Sequence, residues 1–192
     1  MSFEPELILQ ALEAEEVDYI IVGGMAAVIH GAPVSTLDLD LCYQRGSANY
    51  KKLSKALEPF RPRLRGAEEG LPFQLDSATL HRGSNFTLET SAGALDLLGR
   101  LTGVGGYGEL QNSAEVIEVF GCKIKVISLA DLIRAKEAAG RDKDLMMLPI
   151  LKETLRLQRE GSSSNVQLIT VLGVKAEEAC YELGGSSCGL AG

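Results

Sequence analysis

The sequence has few of the residues that build several common kinds of site. Its 192 residues include no Trp, only five Phe and five Tyr, and two His. The four Cys lie at irregular spacings without a Cys-x-x-Cys pair, so a zinc site lacks its usual ligands and we expect reduced, packed cysteines. The shortage of aromatic residues disfavours stacking of RNA bases. A GxxxxGK[ST] loop is also missing, which argues against a P-loop ATPase.

Long apolar runs are missing as well. The longest run, Tyr19 to Ile29, is interrupted by Gly23 and Gly24 and falls short of the roughly 20 residues that a membrane helix needs. The first residues, Met-Ser-Phe-Glu-Pro-Glu, are acidic where a secretory signal is basic. We therefore expect no membrane span and a cytoplasmic location.

Charge is distributed unevenly along the chain. The formal net charge is −7, which argues against a DNA-binding protein, because contacts to phosphates call for a basic surface. Residues 1–43 contain eight Asp or Glu and no Lys or Arg, whereas residues 44–65 contain seven Lys or Arg and one Glu. This segregation fits an acidic cation site beside basic arms that hold a triphosphate. The alternative for Lys51, Lys52 and Lys55 is a solvated helix face.

The spacing of apolar residues predicts an α/β protein with a mixed sheet flanked by helices. A helix is expected over Pro5–Glu16, then a buried strand over Val17–Val22, a Gly-Gly turn and a short helix over Met25–Ile29. The alternation in Leu37–Tyr43 is the period of a strand. The later predicted elements are helices over Ala48–Phe60, Ser128–Ala139 and Asp142–Glu160, and hairpins that pair Asn85–Thr90 with Ala94–Leu98 and Ala114–Phe120 with Lys123–Ile127.

The amino-acid composition changes at one point in the chain, which we interpret as the end of the folded domain. Beyond Gly161 the sequence becomes rich in Ser and Gly, so we predict one domain over residues 1–160 and a loosely attached tail over residues 161–192. Pro149 lies inside the last predicted helix and is expected to kink or split it. The stretch with Pro62, Gly66 and Pro72 is predicted to be a loop.

Two acidic side chains stand out in the strand Leu37–Tyr43. Asp38 and Asp40 are two residues apart, so both carboxylates project from one face of the strand, about 7 Å apart at the backbone. Two carboxylates this close repel each other unless a cation lies between them. Hard oxygen ligands suit Mg²⁺, which also accepts phosphate oxygens. The pattern therefore predicts a magnesium site.

The two glycines before this strand predict a second part of the site. Gly23 and Gly24 lie between a buried strand and the start of a helix, where free backbone amides and the helix dipole favour an anion. A metal clamp facing a phosphate cradle is the arrangement that aligns a triphosphate for in-line attack.

These residues resemble the signature of the nucleotidyltransferases of the DNA polymerase β superfamily. The signature is Gly-Gly or Gly-Ser, a short helix and then Thr-x-Asp-x-Asp, matched here by Gly23, Gly24, Thr36, Asp38 and Asp40. The resemblance extends to GALDLLGRLTGVGGYGEL and SLADLIRAKEAAGRDKDL and covers roughly residues 15–150. The chain looks most like small bacterial members grouped with AbiEii-like toxins of toxin–antitoxin systems. The resemblance implies the polymerase-β-type nucleotidyltransferase fold.

The resemblance also implies the remaining site residues. Asp96 matches the family's third carboxylate, which completes the metal site or takes a proton from the attacking hydroxyl; Asp76 is the competing candidate, better interpreted as a turn or cap residue. Lys136, Arg141 and Lys143 match cations that neutralise the β and γ phosphates. For Arg141 and Lys143 the alternative is that they favour the C-terminal end of a helix. Asp144 is assigned mostly a capping or pairing role.

One departure from the family concerns the residue two positions before Thr36. Many relatives carry Arg there, and this chain has Val34. A phosphate or acceptor contact of the family is therefore not expected here. The resemblance still implies an enzyme that transfers a nucleoside monophosphate from a nucleoside triphosphate to a protein or RNA acceptor, with an antitoxin as an implied partner. The alternatives are a non-catalytic nucleotide-binding module and a metal-dependent phosphohydrolase.

Two further features are given structural interpretations. Gly103, Gly105 and Gly108 satisfy GxGxxG, but only a short segment follows before the next strand, so a dinucleotide site is not expected. His30 lacks a partner for a metal site or a triad and is expected to be structural, and His81 is expected in a loop.

Overall fold

The computed structural model describes residues 3–68 and 72–160, which form one mixed sheet and its surrounding helices. The helices are α1 (Pro5–Ala14), α2 (Gly23–Ile29), α3 (Ser47–Leu57), α4 (Ser77–Arg82), α5 (Tyr107–Leu110), α6 (Leu129–Ala139) and α7 (Asp142–Glu160). The strands are β1 (Tyr19–Val22), β2 (Asp38–Tyr43), β3 (Arg63–Leu64), β4 (Asn85–Thr90), β5 (Gly93–Leu98), β6 (Glu115–Val119) and β7 (Cys122–Val126). The predicted tail, residues 161–192, lies outside the described residues.

The seven strands follow the order β3-β4-β5-β2-β1-β7-β6. β2 pairs in parallel with β5, and β1 pairs in parallel with β7, whereas the other neighbours are antiparallel. Both predicted hairpins are present as β4–β5 and β6–β7. The structure thus confirms the predicted mixed α/β architecture and places β2 and β5 side by side in its centre.

Alternation along the central strands separates an apolar face from a polar one. In β2 the buried residues Leu39 and Leu41 alternate with the partly exposed Asp38 and Asp40, and β5 alternates in the same way around Asp96. The leucines belong to one continuous core that also contains the buried face of α1. Burial of the leucines therefore fixes which face the carboxylates occupy.

Three elements, β3, α4 and α5, lie where the sequence predicted a loop or gave no element. β3 contains two residues and pairs with β4. Asp76 caps the N-terminus of α4, and its carboxylate accepts a hydrogen bond from the Thr79 N–H at 2.7 Å. The prediction of a cap role for Asp76 is confirmed. The prediction that His81 lies in a loop is wrong, since this residue belongs to α4.

α7 is continuous through Pro149, so the predicted split does not occur. Proline costs a helix one hydrogen bond and introduces a clash, but both ends of α7 are held by other contacts. Asp144 forms ion pairs near its start, and the Gln158 side chain donates to the His30 carbonyl at 3.0 Å near its end. Leu151 between them is fully buried. Tertiary packing thus maintains the helix.

The remaining expectations concern cysteines, glycines and apolar helices. Cys42 and Cys122 are free and buried, while the other two cysteines lie outside the described residues. The GxGxxG segment is followed only by the four-residue helix α5, as expected. Over residues 3–68 and 72–160, every helix is too short or too polar to cross a membrane.

Candidate metal centre

The Gly-Gly turn lies directly against the acidic strand. β1 ends at Val22 and α2 begins at Gly23, whose φ of +63° favours glycine. A Cβ at Gly23 would lie 1.9 Å from the Asp40 Oδ2 atom, and one at Gly24 would lie 2.6 Å from the Thr36 Oγ1 atom. Only glycine at these two positions leaves room for Asp40 and Thr36. The turn and the carboxylates therefore share one side of the sheet.

Strand register brings the third carboxylate to the same place. β2 and β5 pair in parallel with Asp40 opposite Asp96, so both side chains project from one face. One carboxylate oxygen from each of Asp38, Asp40 and Asp96 lies within 4.8 Å of the other two. We call these three residues the acidic triad. In the part of the chain that the structure describes, no other trio of His, Cys, Asp and Glu side chains comes this close.

The acidic triad concentrates negative charge in a partly buried position. Burial, and then the charges of Asp38 and Asp96, raise the pKa of Asp40 from 3.8 to about 6, although the Gly24 backbone and Lys136 oppose the rise. Burial also raises the pKa of Asp96, with Arg65 as the main opposing charge. A bound cation would relieve this repulsion. The donor set consists of hard oxygens, which fits Mg²⁺.

Thr36 contacts the acidic triad through its hydroxyl group. The Thr36 Oγ1 atom donates a hydrogen bond to the Asp38 carboxylate. This contact fixes one carboxylate at the start of β2. Val34, which replaces the Arg of many relatives, is partly buried and packs against the hydrophobic core.

Lys136 and Arg141 lie beside the acidic triad but are held by another carboxylate. Asp144 accepts hydrogen bonds from the Lys136 Nζ atom at 2.8 Å and from the Arg141 Nε atom at 2.6 Å. Burial alone would raise the pKa of Asp144, but these hydrogen bonds outweigh it and hold the pKa below its usual value. The prediction that Asp144 has a pairing role is confirmed, and this pairing was not foreseen for Lys136 and Arg141.

The same cations affect the triad electrostatically. The charge of Lys136 lowers the pKa of Asp40, and the charges of Arg141 and Lys143 lower the pKa of Asp96, in each case against the larger effect of burial. Lys143 is exposed, and among the described residues it forms no ion pair within 4.0 Å. The junction of α6 and α7 therefore presents positive charge to the acidic triad.

Sequence reasoning missed Arg65. Its Nη2 atom lies 3.0 Å from the Asp96 Oδ1 atom. The available signal was the basic segment 44–65. Two of the three lysines considered there have partners away from the acidic triad, since Lys52 pairs with Glu16 and Lys55 with Glu15. Only the contact with Asp96 in the folded structure distinguishes Arg65 from the other basic residues of this segment.

His30 has the structural role that was expected. Its side chain is buried, and its Nε2 atom lies 2.7 Å from the Ile127 carbonyl oxygen. This contact joins the C-terminal end of α2 to the segment that precedes α6. His30 therefore supports the positions of both helices.

Comparison with solved structures identifies the fold. The crystal structure of ANT(2″)-Ia in complex with adenylyl-2″-tobramycin matches with a TM-score of 0.50 and 18% sequence identity, over 79% of this chain and 87% of that one. The chain has a nucleotidyltransferase fold. At this identity the likeness concerns the fold alone, and it agrees with the predicted polymerase-β-type architecture.

Two further structures resemble the chain more weakly. The solution structure of the antibiotic-resistance factor ANT(2″)-Ia has a TM-score of 0.48 and 16% identity, over 80% of this chain and 86% of that one. A Thermotoga maritima protein with a provisional nucleotidyltransferase assignment has a TM-score of 0.47 and 20% identity, over 80% of this chain and 88% of its own. No protein-family model and no curated protein sequence matches the chain.

Proposed function

We propose that the protein is a metal-dependent nucleotidyltransferase that transfers a nucleoside monophosphate from a nucleoside triphosphate to an acceptor hydroxyl. The observation that carries the proposal is the convergence of Asp38, Asp40 and Asp96 beside the Gly-Gly turn. A metal-binding trio of carboxylates on adjacent strands is what alignment of a triphosphate requires. The nucleotidyltransferase fold makes this reaction class the first to test.

Asp38 and Asp40 would hold Mg²⁺, with Asp96 as a further ligand or as the base. When bound, Mg²⁺ supplies charge stabilisation for the phosphates during in-line displacement. The acceptor oxygen bonds to the α-phosphorus while the bond from that phosphorus to the bridging oxygen of the β-phosphate breaks, and pyrophosphate leaves. In the base role, the Asp96 carboxylate accepts the proton of the acceptor hydroxyl.

The other site residues would bind the triphosphate. Gly23 and Gly24, at the start of α2, would offer backbone amides to a phosphate, as expected at a helix N-terminus. Lys136, Arg141 and Lys143 would offset the charge of the β and γ phosphates from the α6–α7 junction. For Lys136 and Arg141 this role requires that they act while paired with Asp144 or exchange it for phosphate. Lys143 is exposed, and within residues 3–68 and 72–160 it forms no ion pair within 4.0 Å.

The acceptor we propose is a protein side chain or an RNA end, presented by a partner. The test is to incubate the protein with Mg²⁺ and each α-labelled nucleoside triphosphate in a cell lysate, and then to separate protein, RNA and small molecules. Label in the protein or RNA fraction, with release of pyrophosphate, supports the proposal. The double variant Asp38→Asn plus Asp40→Asn should abolish labelling. Labelling that survives in this variant would reject the assigned site.

A matched control variant removes two negative charges at a site far from the acidic triad. Glu115 and Glu118 are exposed on β6, the edge strand at the far end of the sheet. Glu115→Gln plus Glu118→Gln should therefore leave labelling unchanged. If both double variants lose activity equally, net charge and not the acidic triad controls the reaction.

The replacement of Arg by Val34 favours a second candidate, a nucleotide-binding module without turnover. Calorimetry separates the two, because such a module binds nucleotide with Mg²⁺ but releases no pyrophosphate. Release of inorganic phosphate without labelled acceptor would instead indicate the phosphohydrolase alternative.

We also propose that the protein acts in the cytoplasm as the toxin of a toxin–antitoxin pair. This subtype rests on the sequence resemblance. Growth arrest on expression, relieved by the product of an adjacent gene and lost in Asp38→Asn plus Asp40→Asn, would support it.

A further inference from the structure

Arg65 is firmly held where it meets the acidic triad. Its Nη2 atom lies 3.0 Å from the Asp96 Oδ1 atom and also donates to the Leu88 carbonyl at 3.0 Å. Its backbone N–H donates to the Thr87 carbonyl at 2.9 Å. Arg65 is thus attached to β4 through both its backbone and its guanidinium group, and the contact with Asp96 does not depend on a freely moving side chain.

Arg65 is also the cation in direct contact with the triad. Over residues 3–68 and 72–160, Asp38 and Asp40 form no ion pair within 4.0 Å, and Asp96 pairs with Arg65 alone. Of the other nearby cations, Lys136 and Arg141 share the charge of Asp144, and Lys143 is exposed to solvent and forms no ion pair with the triad within 4.0 Å. The arrangement therefore places three carboxylates against one directly bound guanidinium.

We propose that Arg65 is a built-in counter-cation of the acidic triad, which holds Asp96 in the metal-free protein and lowers the affinity of the centre for a divalent cation. This inference rests on the metal centre of the proposed function. Arg65 opposes the metal by its charge and by its contact with Asp96; it is therefore a positioning residue and not a catalytic one. A divalent cation that binds the triad must share the Asp96 carboxylate with Arg65 or displace it.

Two effects of removing Arg65 oppose each other, and their sizes decide the direction. A guanidinium about 6 Å from a divalent cation weakens binding about tenfold by repulsion, even with the dielectric constant of water. Loss of the contact also frees Asp96 among its rotamers, which weakens binding by no more than about threefold, because a short side chain on a strand has few rotamers. Removal of the charge dominates, and the net effect is tighter binding of the metal.

The test measures Mn²⁺ binding to the full, nucleotide-free chain by electron paramagnetic resonance. Arg65→Gln should tighten binding by about three- to tenfold, whereas Arg65→Lys, which keeps the charge, should change it by less than about threefold. Arg63→Gln is the matched control, since Arg63 lies on β3, two residues before Arg65, but pairs with Glu89 at 3.9 Å. The control should change binding by less than about twofold.

An Asp96→Asn background tests whether the ion pair with Asp96 holds the Arg65 charge beside the centre. Without the carboxylate partner the guanidinium is held less firmly there, so Arg65→Gln should have a clearly smaller effect than in the wild-type chain. Unchanged or weaker Mn²⁺ binding in Arg65→Gln would overturn the inference, as would an equal effect of Arg63→Gln. Should Arg65→Gln fail to fold, a change in Arg65→Lys of more than about threefold in either direction contradicts the charge-based argument.

The outcomes separate this inference from the proposed function. Tighter binding in Arg65→Gln that disappears with Asp38→Asn plus Asp40→Asn supports the counter-cation even if no nucleotide transfer is detected. If the protein transfers nucleotide but Mn²⁺ binding is unchanged in Arg65→Gln, the proposed enzyme activity stands and the counter-cation role of Arg65 is rejected. Absence of Mn²⁺ binding in both wild type and Arg65→Gln overturns both.

Discussion

Replacement of Asp40 by Asn should stabilise the metal-free protein at neutral pH. The pKa of Asp40 is raised from 3.8 to about 6, first by burial and then by its two carboxylate neighbours. A rise of about two units corresponds to about 3 kcal/mol of unfolding free energy. The folded state holds the proton more tightly than the unfolded state, so wild-type stability falls as the pH rises from about 4 to 6 and stays lower above that. An amide does not ionise and avoids this loss.

Chemical denaturation in EDTA at pH 7.5 and pH 4 measures the effect. At pH 7.5 Asp40→Asn should be more stable by about 3 kcal/mol, which is a rise of about 6–12 °C in Tm for a domain of this size. At pH 4 the difference should nearly vanish, because Asp40 is largely protonated in the folded wild type. Mg²⁺ at about 1,000 times the Kd should reverse the order, since it stabilises only a chain that binds it, by about 4.1 kcal/mol at that concentration.

Asp76→Asn is the matched control. Asp76 caps α4 through the Thr79 N–H, and hydrogen bonds from the Thr79 backbone hold its pKa below the usual value. Asn caps a helix about as well as Asp, so its stability should change little. If Asp40→Asn is no more stable than wild type at pH 7.5, or if its advantage is equally large at pH 4, the reasoning from buried charge is wrong.

Three more outcomes can be measured on the same protein. Mn²⁺ affinity should fall about tenfold per pH unit below about 6, because protonation of Asp40 removes a ligand; a flat profile between pH 5 and 7 would contradict this. Gly23→Ala should lose Mn²⁺ binding, since its Cβ would lie 1.9 Å from a carboxylate oxygen, whereas Gly31→Ala, with φ of +83° and open space around it, should lose only about 1 kcal/mol of stability and keep the metal. Asp144→Asn should cost about 3 kcal/mol, because Asp144 is buried and the Lys136 side chain, only 11% exposed, would lose its carboxylate partner, while Glu153→Gln in an exposed pair of α7 should leave stability nearly unchanged; equal losses in a urea titration would argue against the buried ion pair.

The parts of the fold that the sequence predicted are those with a clear local period or turn. The alternation around Asp38 and Asp40 identified β2, and Gly93 and Gly121 marked the turns of the two hairpins. By contrast, β3 has two residues, which are too few to show a period, and it forms only because β4 offers it an edge. Short elements of this kind depend on tertiary pairing and leave little local signal.

The candidate site also combines residues that a local sequence pattern predicts with residues that only tertiary contacts bring together. The grouping of Asp38 and Asp40 follows from their spacing, and the resemblance added Asp96, which the register of β2 and β5 places opposite Asp40. Their roles in metal binding and catalysis stay predictions. The contact of Arg65 with Asp96 joins residues 31 positions apart, with α4 and β4 between them in the chain, so no local rule could reveal it.

The pairing of β2 with β5 also limits how the chain can vary in length. Successive side chains of a strand point to opposite faces, so one extra or missing residue between Gly93 and Asp96 would turn the Asp96 carboxylate towards the side occupied by Leu95 and Leu97. The same change in the turn between β6 and β7 would leave the acidic residues where they are. Insertions and deletions among related chains should therefore avoid the segment from Gly93 to Asp96, even where its other side chains differ.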